Sequence, residues 1–226
     1  GAPNLNPPPQ CIEIGALLCH VSTDHMPPSA LFEPLLRTIA AVPVSSQILD
    51  LGCGPGHHTE ALLRLGFPVH ACDPDPDAVA ATRERITPVL DDADTAQQCV
   101  RAASFDALDD LEDAFDWVVA VHAERLVDTP EDLNALLTAG RRLLKPGGWM
   151  YLAAPAASDD RAHESQTAGD GAPVASETKA LFSKSRLNDI EDVGNLAMSA
   201  APEIDTTGPA PRVHVIYRHV ATNTPV

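Results

Sequence analysis

Positive charge is scarce in this sequence. Lys and Arg number 15 against 32 Asp and Glu, giving a formal net charge of −17 over 226 residues. A field of that sign repels phosphate backbones and anionic bilayers, so binding either would need a concentrated basic stripe. None is present, and Arg141–Arg142 is the densest basic pair outside the N-terminal half. Neither nucleic acid nor membrane is therefore expected as a partner, and the acid excess reads as solubility. Long apolar runs are also missing: none approaches the roughly 18 residues that would span a bilayer. No basic segment leads into an apolar one near the start, so no signal peptide is expected. Cysteines are few, five in all, odd in number and scattered. That usage suits a reducing compartment, and the expected location is cytoplasmic. Neither HExxH nor a paired Cys/His zinc spacing occurs, so no metal centre is expected. GxSxG is absent too, which excludes a nucleophile elbow for Ser-His-Asp catalysis.

What remains is a chain long enough for one domain with a full core, 44% hydrophobic. It is organised around residues 47–56, QILDLGCGPG. A short apolar strand ends in Asp50. The loop Gly52, Cys53, Gly54, Gly56 follows, and then a helix begins near His57 and His58. Glycines at alternate positions let the main chain take positive φ and let a ligand lie against it. The helix N-terminus adds free N–H groups and a favourable dipole. A second apolar run, VHACD, ends in Asp73, one strand–helix unit later. A carboxylate there can accept both hydroxyls of a ribose. These features suit a dinucleotide or another nucleoside.

The chain reads in order as follows. Residues 1–10 hold Pro3 and Pro7–Pro9 and read as a disordered or extended lead-in. Residues 11–21 suit a short helix, 22–29 a turn, and 29–41 a helix with Leu31, Leu35, Leu36 and Ile39 on one face. A helix is expected over 58–65, stopping at Gly66. Another runs over 76–90, with Asp75 as N-cap and Pro76 at N1. Residues 91–98 are polar and read as loop, 99–103 as a third strand, 107–111 as a weak helical segment and 115–121 as a fourth strand. Thr129 caps a helix reaching Leu144. Pro146-Gly147-Gly148 ends it, and a fifth strand covers 149–153. Residues 154–180 have no clear period and are too long for an ordinary connection, so they form either a lid or a disordered insert. A helix over 183–193 capped by Gly194, a sixth strand near 203–206 and a last strand over 213–220 complete the chain. Strands alternating with helices argue for an α/β fold with an open, mainly parallel sheet, whose ligands bind beyond the carboxyl ends of the strands. Asp50, Asp73, Ser104 and His122 all fall at or just past such ends.

The glycine spacing is G-x-G-x-G rather than the dinucleotide G-x-G-x-x-G. With Asp50 two residues ahead, it resembles motif I of the class I S-adenosylmethionine (SAM) methyltransferases. The resemblance continues in order through FDWVVAV at 115–121 and LLKPGGW at 143–149, and covers about residues 44–154. It looks most like the small-molecule branch. It implies a Rossmann-like sheet of seven strands, mainly parallel with an antiparallel C-terminal strand and helices on both faces. It implies one methyltransferase domain over 11–226, with a helical cap over about 11–42 and a variable segment at 154–180. It also implies SAM as cofactor and S-adenosylhomocysteine as product. By resemblance, Asp50, Gly52, Cys53, Gly54 and Gly56 meet the methionine part, Asp73 meets the ribose, and Pro74 packs near the adenine with Phe105. Ser104 stands where many members carry an acid for the adenine amino group. His122, with Glu124, lies in the loop that faces cofactor and substrate, and is the candidate general base. His57 and His58 pack or touch the amino-acid end of the cofactor. His20 and His25 lie in a segment placed to cover the site, and His214 and Tyr217 read as sheet residues. No N-P-P-aromatic or Pro-Cys motif follows the fourth strand, which disfavours DNA base methylation. The acceptor atom stays open. The alternatives are a SAM-binding protein without transfer and an NAD-dependent oxidoreductase.

Overall fold

The computed structural model describes residues 33–156, 181–190, 192–193, 195–206 and 210–220. The expected lead-in, the 11–21 helix, His20, His25, Gly194 and all but the first three residues of the 154–180 segment lie outside them. The described helices are α1 (Glu33–Ile39), α2 (His57–Arg64), α3 (Pro76–Leu90), α4 (Ala93–Cys99), α5 (Pro130–Leu143) and α6 (Lys184–Asp189). The strands are β1 (Ile48–Leu51), β2 (Val69–Asp73), β3 (Val100–Ala102), β4 (Phe115–Ala120), β5 (Leu144–Pro155), β6 (Asp192–Val193), β7 (Leu196–Asp205) and β8 (Arg212–His219).

All strands share one sheet, ordered β3-β2-β1-β4-β5-β8-β7-β6. The first five run parallel, and β8 pairs antiparallel with both β5 and β7. The seven expected strands are present, and two-residue β6 extends the edge. Alternation sorts each strand's side chains onto two faces. Ile48, Val119, Tyr151 and Ala153 pack with Leu35 and Ile39 of α1, Leu62 of α2 and Val79 and Ile86 of α3. Leu49, Leu51, Val118, Leu152 and Val215 pack with Leu133, Leu136 and Leu137 of α5 and Leu187 of α6. Burying each such Leu or Ile contributes about 1.5–3 kcal/mol.

Helix starts follow local chemistry. The Asp75 side chain accepts from Asp77 N at 2.9 Å, ahead of Pro76. Thr129 and Asp132 form a reciprocal capping box at α5, at 3.1 and 2.9 Å. Several boundaries differ from expectation. Residues 91–98 are not loop: Asp92 accepts from Asp94 N and Thr95 N and starts α4, which buries Ala96 and Cys99. The helix expected over 183–193 is six residues long, and Val193 belongs to β6. Leu144 pairs with Phe115, so β5 begins before Pro146-Gly147-Gly148, with a register break beyond that pair. Strand β7 is ten residues rather than four, and bulges twice against β8. The weak helical segment is two 3-10 turns, Phe105–Ala107 and Asp109–Leu111.

Candidate active site

The loop after β1 is fixed from three sides. Gly52 N and Cys53 N both donate to Cys72 O at the end of β2, at 2.9 and 3.1 Å. Thr82 Oγ1, from α3, donates to Gly54 O at 2.7 Å. Asp73 supplies the third tie, its Oδ2 accepting from Gly54 N and its Oδ1 from Asp75 N, both at 2.9 Å. Two glycines are needed for different reasons. Gly56 has φ of +82° as the cap of α2, and a Cβ there would stand 3.0 Å from the Thr82 Cα. Gly54 has φ of +52°, and a Cβ there would meet only Arg125 Nη1 at 3.9 Å, so its main chain faces space. Leu126 closes over Gly52, bringing the segment after β4 against the loop.

Asp50 lies beneath the loop with 2% of its surface exposed, and its Oδ2 accepts from Thr59 Oγ1 at 2.6 Å. Burial pushes its carboxyl up to about 6, against the lowering effects of the Thr59 bond and of nearby His122. Across the site, burial holds the His58 imidazole down to about 4, helped by His122, Arg212 and His57. These shifts have opposite consequences for stability. Between about pH 4 and 6 the folded state holds more protons on Asp50 than the unfolded chain, so this group makes stability fall as pH rises. Between about pH 4 and 6.5 the unfolded chain holds more protons on His58, so this group makes stability rise. Asp50→Asn is therefore expected to be more stable than the parent at pH 7, to lose that advantage towards pH 4, and to show the His58 slope undiluted. Melting temperatures read across this range check it; an unchanged pH profile contradicts it.

Beyond β4 lies a polar group. His122 Nδ1 is 3.2 Å from Glu124 Oε1, and its ring stands 5.8 Å from that of His58, tilted by 57°. Glu124 Oε2 is 3.8 Å from Arg212 Nη2, which also donates to Val121 O. Arg212 opens β8 opposite Pro155, the last residue of β5. Farther along this face the Tyr151 ring stacks on His214 at 6.0 Å. His214 also lines a cleft of about 240 Å3 between α1 and the β7–β8 edge, with Arg37, Thr38 and Glu203. This cleft lies outside the glycine loop.

Asp50, Gly52, Cys53, Gly54, Gly56 and Asp73 thus lie together in and beneath the loop after β1, and Leu126 brings the segment holding His122 against it. Pro74 follows Asp73 and is exposed, as is His57. Cys53 is buried with Sγ 3.6 Å from Thr82 Oγ1, and burial pushes its thiol well above the ordinary range, so it packs rather than reacts. Ser104 Oγ donates to Asp106 Oδ1, which places a carboxylate two residues further on. Phe105 is half-buried against the core on the α5 face. Tyr217 is buried in that same core. Thr59, Thr82 and Arg212 were not singled out from sequence. Thr59 and Thr82 sit on the inward faces of α2 and α3, where a hydroxyl among apolar neighbours was the available signal. Arg212 is 88 positions from Glu124 and carries no local signal.

Residues 48–148 match the family model of a methyltransferase domain, spanning β1 to the turn within β5. Over this stretch the chain carries a methyltransferase domain and is similar to SAM-dependent methyltransferases. Among curated methyltransferases it is similar to the mouse mitochondrial ubiquinone biosynthesis O-methyltransferase, 34% identical over 125 residues, covering 52% of this chain and 32% of the relative. The ubiquinone biosynthesis O-methyltransferase of Xanthomonas axonopodis pv. citri is 31% identical over 116 residues, covering 49% of this chain and 43% of the relative. The chain thus spans a third to under half the length of these methyltransferases. A solved methyltransferase with similar fold is 1,6-didemethyltoxoflavin-N1-methyltransferase from Burkholderia thailandensis, with S-adenosylhomocysteine bound: TM-score 0.59, 18% identity, covering 85% of this chain and 79% of that one. A glycopeptide N-methyltransferase complexed with SAM gives TM-score 0.56, 19% identity and coverage of 82% and 92%. Among the described residues no cluster of three His, Cys, Asp or Glu side chains is arranged to hold a metal. No described helix is long and apolar enough to cross a membrane.

Proposed function

We propose that this chain binds SAM and directs its methyl group to a hydroxyl of a small-molecule acceptor. The observation that carries the reading is the pairing of a buried carboxylate with bare main chain. Asp50 is nearly solvent-free, its hydrogen bonds come from the neutral Thr59, and burial disfavours its charge. A cationic ligand group relieves that cost. Asp50 and the loop carbonyls would hold the ammonium, and Gly52, Cys53 and Gly54 would lie along the methionine chain. Asp73 would accept the ribose hydroxyls, with Pro74 at the adenine edge and Ser104 and Phe105 beyond β3. Bound there, the cofactor supplies a methyl group on a sulfonium, whose leaving thioether is neutral. The protein's task is then mainly alignment and exclusion of water. The hydroxyl acceptor is suggested by the two curated relatives, both named O-methyltransferases.

The second reading is a SAM-binding protein that does not transfer the group. It is favoured by one observation: Ser104 replaces the usual acid, and its hydroxyl is taken by Asp106. Titration calorimetry separates these readings from a nicotinamide enzyme. Micromolar binding of SAM and S-adenosylhomocysteine with no heat from NADH is expected. Binding of NADH alone would overturn both SAM readings. Transfer of labelled methyl to any small molecule rejects the non-catalytic one.

A further inference from the structure

The polar group over the end of β4 has a direction. A carboxylate only accepts hydrogen bonds, so at 3.2 Å from Glu124 Oε1 the His122 Nδ1 must be the donor. A neutral imidazole with its proton on Nδ1 carries its lone pair on Nε2. Glu124 is held in turn. Its Oε2 is enclosed by protein, without a hydrogen bond, and faces the Arg212 guanidinium at 3.8 Å. Arg212 is anchored on the Val121 carbonyl, one residue before His122. Arg212 and Glu124 are four-fifths covered, whereas His122 keeps 34% of its side chain open. The order from inside to outside is guanidinium, carboxylate, imidazole. The neighbouring imidazole of His58 is kept neutral by burial, so it adds no opposing charge at neutral pH.

We propose that Glu124, clamped by Arg212, is a positioning residue that fixes the His122 tautomer and presents its Nε2 lone pair to the acceptor hydroxyl. The proposal rests on the methyl-transfer reading above. In the step, the acceptor oxygen forms the new O–C bond while the S–C pair stays on sulfur, and the hydroxyl proton passes to His122 Nε2. The resulting imidazolium faces the Glu124 carboxylate, which neutralises it within a covered site. The acceptor class that gains most is a hydroxyl of phenol-like acidity, near pKa 10, within reach of an imidazole base.

The test is a long-range proton–nitrogen NMR correlation on the whole chain with 15N-labelled histidine, saturated with S-adenosylhomocysteine at mildly alkaline pH. Signals lost in His122→Asn identify the ring. In the parent, His122 is expected to carry its proton on Nδ1 with at least about a tenfold preference, as a charge-assisted bond provides. In Glu124→Ala the proton is expected to move to Nε2, as in free histidine, and Glu124→Gln, which keeps Oε1, is expected to restore the Nδ1–H form. A structural role for Glu124 would lower the melting temperature of the alanine variant and leave the tautomer unchanged, overturning the proposal. A parent ring protonated on Nε2 overturns it as well. Calorimetry with S-adenosylhomocysteine on the same samples reports separately on the cofactor site, so absence of binding would remove the methyl-transfer reading whatever the tautomer shows.

Discussion

Asp73→Ala is expected to weaken SAM binding by at least tenfold. On the SAM-binding reading the carboxylate has two jobs that fail together. Its oxygens each accept one main-chain N–H, from Gly54 and Asp75, and so hold the glycine loop against the start of α3. Each oxygen keeps a further lone pair, which on the proposed reading would accept a ribose hydroxyl. Hydrogen bonds to a charged acceptor contribute about 1.5–3 kcal/mol each, so losing one already exceeds a tenfold change and losing the loop anchor adds to it. Asp73→Asn keeps one acceptor oxygen and is expected to fall between parent and alanine. Calorimetry on all three checks the order. An unchanged affinity in the alanine variant would place the ribose elsewhere.

Gly56→Ala is expected to destabilise the fold by about 2–4 kcal/mol, a drop in melting temperature on the order of 5–10 °C for a chain of this size. Two effects combine. A φ of +82° is strained for any L side chain, and the new Cβ would lie 3.0 Å from the Thr82 Cα, a main-chain atom that cannot rotate away. Gly147 isolates the first effect. Its φ is +85°, yet a Cβ there has nothing within 4 Å. Gly147→Ala is therefore expected to cost only about 1–2 kcal/mol. Equal losses at the two positions would show that the contact with α3 does not matter. Since Thr82 also holds Gly54 O, the Gly56 variant should lose SAM affinity as well, whereas the Gly147 variant should not.

The parts of the fold readable from sequence were those where one residue type has few conformational options. Asp75-Pro76 and Thr129-Pro130 announce helix starts because a side-chain acceptor and a missing N–H both suit an N-terminus. The alternating glycines after Asp50 announce a left-handed path, and all three adopt it. Helix α4 escaped because ADTAQQC has almost no apolar stripe; only Ala96 and Cys99 point inward, and the Asp92 cap was the one cue. Strand β7 escaped for the opposite reason. LAMSAAPEID contains small residues and a proline, has two register shifts, and exposes much of its length, so alternation is blurred. At the site, His122 and Glu124 were visible because they are two residues apart at a strand end. Arg212 was not, because only pairing of β8 with β5 brings the start of β8 beside the end of β4.

That pairing also governs how the molecule can be made. Strand β8 is the last described strand, yet it lies inside the sheet, with β5 on one side and β7 on the other. As the chain leaves the ribosome, β1 to β5 can assemble while the far edge of β5, the longest strand, still lacks its partner. An unpaired edge of that length invites pairing with other chains. The nascent protein must therefore stay shielded until residues 212–219 emerge, and its completion waits on a contact between positions about 65 apart that no earlier segment can replace.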